Sequence, residues 1–304
     1  MTHRKKRKTK RRLFGIFIFA ILAIGFYVFA TAGSGDDVHM PEATASERLR
    51  LEASTATSTA PEDFPCLPLL LPVADLTDTQ YLKLVNRDHS INAPVCESRL
   101  RPVWPDMPAR TSYVPLHETA FAAMRELFTA AGRANVNGLF IASGYRSHAE
   151  QSYLYANAAD PAYVMPPGHS EHQLGLAADI LAGEHTGSMR GSEEARWLSE
   201  HAPQFGLILR YPAGKEDITG VPYEPWHFRY VGRVHAWYMG QRQFVLEEYI
   251  EYLRTQGSFQ VEFDGKTYYV LYQRPENGMI FVPDHLSFWI SSTNTGGYVV
   301  TAWR

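Results

Sequence analysis

The chain has 304 residues, 45% hydrophobic and 13% aromatic, which supplies ample material for a packed core and excludes a disordered chain. Its formal charge of −3 hides an asymmetry. Eight of the 29 Lys/Arg fall in residues 1–12, MTHRKKRKTKRR, and the first acid is Asp36. Without those eight, 21 basic residues face 32 acidic ones, so the body excludes nucleic-acid binding through bulk electrostatics.

Residues 13–32, LFGIFIFAILAIGFYVFATA, carry no charge and match the length of a membrane-spanning helix. The basic tail before them predicts a cytoplasmic N-terminus and a body outside the cell. Ala30-Thr31-Ala32 resembles a cleavage site, so a cleaved signal peptide and secretion is the alternative; both export the body. Residues 33–61 are rich in Ser, Thr, Ala and Glu and read as a flexible spacer. Cys66 and Cys96 are an even pair in an oxidising compartment, and a disulfide between them is the expectation.

A domain over residues 62–256 follows. Phe121, Met124, Leu127, Phe128 and Ala131 recur at helical spacing, ending at Gly132. Residues 138–143, GLFIAS, suit a buried strand. Ser147 and Glu150 form a capping-box pattern that opens a helix through about residue 158. Residues 174–181 read as strand, Ser192 caps a helix stopped by Pro203, and helix resumes over 233–255. Residues 257–304 differ: VEFDG, KTYYVLYQ, MIFVP and YVVTAW read as short strands, a β-rich C-terminal extension. Strands and helices without a regular βαβ repeat give the class α+β.

Two stretches carry chemistry. GHSEHQLGLAADI, residues 168–180, sets His172 and Asp179 seven apart in a segment built for burial, with Glu171 read as a solvated turn residue. Buried, such groups need a hydrogen-bond network or a metal ion. YEPWHFRYVG, residues 223–232, adds Glu224 and His227. Two imidazoles and one carboxylate fill three tetrahedral positions of zinc and leave the fourth for water, while a spare carboxylate can accept a proton. That mixed donor set suits zinc better than calcium or magnesium. Each half alone is an ordinary polar pair.

Taken together, Ser170-x-His172-x-x-Gly175-x-Ala177-x-Asp179 and Glu224-x-Trp226-His227 resemble the VanY-type D-alanyl-D-alanine carboxypeptidases. These are zinc peptidases sharing a fold with the Hedgehog amino-terminal domain. Ser143-Gly144-Tyr145-Arg146-Ser147 is similar to the family's substrate-binding segment, and Leu84-Val85-Asn86-Arg87-Asp88 to its domain start. The resemblance covers roughly residues 84–253. It implies zinc held by His172, Asp179 and His227, with Glu224 as general base and Arg146 polarising the scissile carbonyl or holding substrate. It also implies a small, mainly antiparallel sheet with packed helices. The metal thus answers the burial of His172 and Asp179.

Arg146 follows a strand and precedes a helix cap, where a guanidinium projects into a cleft; the alternative is a surface salt bridge. Ser170 either bonds substrate or satisfies the turn, and Gly175 and Ala177 permit close packing. His169 reads as a loop residue, Trp226 as pocket wall or core, and Tyr211 as core with cleft lining the alternative. His148, His185, His201 and His235 read as surface. The function implied is a membrane-anchored zinc enzyme removing the terminal D-alanine of peptidoglycan stem peptides. An L,D-carboxypeptidase acting on tetrapeptides and a silent zinc-containing peptide-binding module are the alternatives.

Overall fold

The computed structural model describes residues 68–76, 80–91, 96–183 and 189–304, all within one compact unit. The apolar run at 13–32, the spacer, Cys66 and His185 lie outside the described residues. Among the described residues no helix is long and apolar enough to cross a membrane.

The described residues open with strands β1 (Pro68–Pro72), β2 (Leu100–Pro102) and β3 (Pro115–His117). Helix α1 (Glu118–Arg133) follows, its N-terminus capped by the His117 ring rather than by a hydroxyl. Of its apolar stripe Phe121, Met124, Leu127 and Ala131 are buried as the sequence spacing predicts, while Phe128 at its edge is half-buried. Strand β4 (Leu139–Ser143) leads into α2 (His148–Ala156), where the Ser147–Glu150 capping box forms with both reciprocal bonds. Strand β5 (Ala177–Ala182) starts three residues later than the sequence suggests. Residues Glu171–Leu174 instead make a 3₁₀ turn closed by Gly175 at φ 68°. A side chain there would be strained, and its Cβ would come within 2.9 Å of Leu100.

Helix α3 (Glu193–His201) is capped by Ser192. Strand β6 (Leu207–Leu209), the short helix α4 (Glu216–Thr219) and strand β7 (His227–Tyr230) follow. The expected helix over 233–255 is two, α5 (Arg233–Arg242) and α6 (Leu246–Gln256), because Gln243 turns left-handed at φ 54° between them. The tail supplies β8 (Ser258–Phe263), β9 (Lys266–Gln273), β10 (Met279–Pro283), β11 (Ser287–Ser292) and β12 (Tyr298–Trp303).

Among the described residues two four-stranded antiparallel sheets result, ordered β4-β5-β7-β6 and β11-β12-β9-β8, with two-stranded pairs β1-β10 and β2-β3. This is the α+β architecture read from the pattern. The main hydrophobic cluster runs from Leu127 of α1 through Ile180 of β5 and Phe228 of β7 to Val270, Trp289 and Val299 of the second sheet. His235 sits in that junction. It is fully buried, not at the surface as its sequence context suggests, and its two ring nitrogens bond Tyr249 Oη (2.6 Å) and Thr301 Oγ1 (2.9 Å). Burial lowers its pKa to about 3, so it stays neutral. His201 is half-buried and stacked on Trp197, whereas His148 is exposed as expected.

Candidate active site

Sheet register builds the site. Asp179 of β5 pairs with His227 of β7 on one side and with Ser143 of β4 on the other, one row across three strands. Opposed residues in such a row bring their side chains within contact distance. His172 joins them from the 3₁₀ turn, which is clamped from both sides. Arg146 N–H donates to the His172 carbonyl (3.2 Å), and the His172 ring donates through Nδ1 to the Gly144 carbonyl (2.7 Å). Gly144 is required there: a Cβ would lie 2.4 Å from the Pro115 carbonyl oxygen. Gly144→Ala should therefore cost about 1–3 kcal/mol, the usual penalty of overpacking, read as a lowered Tm with folding retained. An unchanged Tm would show that β3 yields freely.

His172 Nε2 lies 3.4 Å from Asp179 Oδ2, and His227 Nδ1 lies 3.1 Å from Asp179 Oδ1. One donor atom from each residue falls within 4.8 Å of the other two. The ring tautomers follow from the outer partners. His172 spends Nδ1 on Gly144, leaving the Nε2 lone pair inward. His227 Nε2 faces Glu171 Oε2 at 3.4 Å, leaving the Nδ1 lone pair inward. Two inward imidazole lone pairs and a carboxylate fit a metal ion with an open position.

Glu171 is the main correction to the sequence reading. It is not solvated: it is 2% exposed, with its Oε1 taking Arg210 Nε at 2.8 Å and Arg229 Nη1 at 2.9 Å. Burial alone would raise its pKa, but the two guanidinium groups and the His227 bond outweigh that and hold it well below the carboxylate range. Arg210 is also bidentate to Glu247 of α6, at 2.8 and 2.6 Å. Burial and the Arg146 charge lower the His172 pKa to about 4. Burial pulls His227 down, yet its bonds to Asp179 and Glu171 raise it to about 9, so a metal would gain the Nδ1 lone pair by displacing a proton.

Glu224 hangs from a short loop whose N–H donates to the Tyr211 carbonyl (3.0 Å). Its carboxylate is 5% exposed and 3.9 Å from His227 Nδ1, near the donors without joining them. Burial raises its pKa to about 7. Arg146 donates to Asp179 Oδ2 (3.3 Å), Ser143 Oγ (3.1 Å) and Gln151 Oε1 (2.9 Å); it is half-buried and not a surface pair. Gln151 is fully buried and anchored on the Met165 carbonyl, a support the sequence did not reveal.

All six sequence-predicted residues, Arg146, Ser170, His172, Asp179, Glu224 and His227, line one cavity of about 390 Å³. Ser170 caps no backbone group of its turn, so its hydroxyl is not consumed there. Tyr211 and Trp226 form part of the wall, the Tyr211 ring 4.9 Å from that of His227. His169 bonds the Asn86 carbonyl, the loop role expected of it. Gly175 and Ala177 pack without facing the cavity.

An antiparallel sheet and its adjoining turn presenting an inward His/Asp/His set beside a desolvated carboxylate define the metallopeptidase class of site. Residues 114–233 match the family model described as VanY, D-alanyl-D-alanine carboxypeptidase. A D-alanyl-D-alanine carboxypeptidase of Enterococcus faecium is 40% identical over 177 residues, covering 58% of this chain and 57% of that one. The vancomycin-resistance D,D-dipeptidase VanXYg, solved with a D-Ala-D-Ala phosphinate analog, superposes with TM-score 0.67 at 27% identity, over 78% of this chain and 99% of its own. The LD-carboxypeptidase LdcB gives TM-score 0.50 at 33% identity, over 56% and 86%. The chain belongs to the VanY family. It spans about half the length of the curated relatives it matches, 57%, 54% and 52% of the first three.

Proposed function

We propose that the chain is a zinc D,D-carboxypeptidase that removes the terminal D-alanine from peptidoglycan stem peptides. The observation that carries this reading is the buried Glu224 carboxylate beside three inward donors, in a cavity open to a peptide end. His172, Asp179 and His227 would hold the zinc, which when bound would supply Lewis acidity to water and to a carbonyl. Glu224 takes the proton of the attacking water and returns it to the leaving amine. Arg146, fixed by Ser143 and Gln151, faces the developing negative charge or the substrate's carboxylate. Ser170 hydrogen-bonds the peptide, and Tyr211 and Trp226 limit water. The basic tail and apolar run at 1–32 support a membrane-anchored enzyme with its body outside the cell, where such a substrate lies.

Mass spectrometry after incubation with penta- and tetrapeptide stems, with and without chelator, tests the reading. Chelator-sensitive loss of one alanine from the pentapeptide is expected. Loss from the tetrapeptide alone would assign L,D specificity instead, and binding without release would make the chain a silent module.

The pH profile should carry the signature of Glu224. Only its ionised form accepts a proton, and burial sets its pKa at about 7. A zinc ion bound nearby would favour the anion and move that value down. Turnover should thus rise with pH along an acid limb below about 7. A rate flat from pH 5 to 8 would remove Glu224 from the role of base.

A further inference from the structure

Among the described residues two guanidinium groups line the cavity, and the chemistry above accounts for Arg146. Arg190, carried beyond β5, is exposed, whereas His172 and His227 of the same lining are buried. It is nonetheless aimed. Its Nη2 donates to the Tyr223 carbonyl at 2.7 Å, next to Glu224, and lies 3.4 Å from Tyr163 Oη. Its guanidinium carbon stacks 5.1 Å over the Tyr223 ring, and Tyr163 in turn meets Trp226 at 6.5 Å between centroids. A cation held by a carbonyl and an aromatic face is pre-organised for a planar anion.

The position decides which anion. The peptide of a carboxypeptidase ends with the residue it loses, so everything else leaves through the mouth. The inner wall holds Glu171, Asp179 and Glu224 close to the donors, with Arg146 bonded to Asp179. Resting on the function proposed above, we infer that Arg190 recognises a carboxylate on the amino-terminal side of the scissile bond. It makes the enzyme prefer an acidic peptide over its amidated form.

The test uses zinc-loaded protein carrying Glu224→Ala, so that bound peptide persists. Calorimetry compares two peptides ending in D-Ala-D-Ala that differ only in bearing an upstream carboxylate or the matching carboxamide. The acidic peptide should bind about tenfold more tightly, as a charge-assisted hydrogen bond allows. Adding Arg190→Gln should shrink that ratio below about twofold, and Arg190→Lys should keep part of it, a point charge without the fork. A ratio unchanged by Arg190→Gln, or both peptides weakened equally, overturns the inference. Hydrolysis of the same peptides by the unmodified protein is scored separately. Failure to release alanine sinks the carboxypeptidase reading, while the binding ratio still decides the role of Arg190.

Discussion

Glu224→Ala should lower turnover of a D-Ala-D-Ala peptide by about 10²–10⁴-fold, the usual cost of losing a general base, while keeping zinc and fold. The reason is geometric. The carboxylate is 3.9 Å from His227 Nδ1 and belongs to none of the three inward donors, so its removal leaves the metal set intact. Its loss also relieves a buried group whose pKa burial has raised to about 7, so stability should not fall. Glu224→Gln should be equally inactive, because the amide keeps the shape but cannot accept a proton. Arg146→Ala should cost about 10²–10³-fold, the scale of a lost oxyanion donor. Steady-state kinetics with parallel zinc analysis reads all three. Zinc lost from Glu224→Ala would make that carboxylate a ligand or a support of one.

His227→Ala should abolish stoichiometric zinc and with it the thermal stabilisation that added zinc gives the unmodified protein. Two of three donors remain, and neither His172 nor Asp179 can approach from the vacated side, since both are fixed by Gly144 and Arg146. Glu171→Gln separates orientation from ligation. It keeps a hydrogen-bond acceptor for His227 but removes the charge paired with Arg210 and Arg229. Zinc affinity should fall by about 10–100-fold, the range for an outer partner of a ligating histidine, rather than vanish. Protein stability should drop too, because two buried guanidinium groups lose their shared counter-charge. Elemental analysis finding about one zinc in purified His227→Ala would reject the ligand set.

The local patterns were legible in the sequence because they depend on short-range physics. The period of α1, the Ser147–Glu150 capping box and the Ser192 cap involve residues three or four apart, and each appears in the structure close to its expected place. The six candidate residues were legible through spacing and family resemblance, since function restricts their types. What the sequence could not carry is partnership across long separations. Glu171 looks like an ordinary turn acid until the fold brings Arg210 and Arg229 to it from 39 and 58 positions away and seals all three from water. His235 looks like a surface histidine until α6 and β12 close over it with Tyr249 and Thr301. Gln151, which aims Arg146, and Arg190, which stacks on Tyr223, carry no local signal either. Which side chains are chemically possible at the site was written in the sequence. Their burial, charge state and aim were decided by tertiary packing alone, because desolvation and hydrogen bonding act only once distant segments meet.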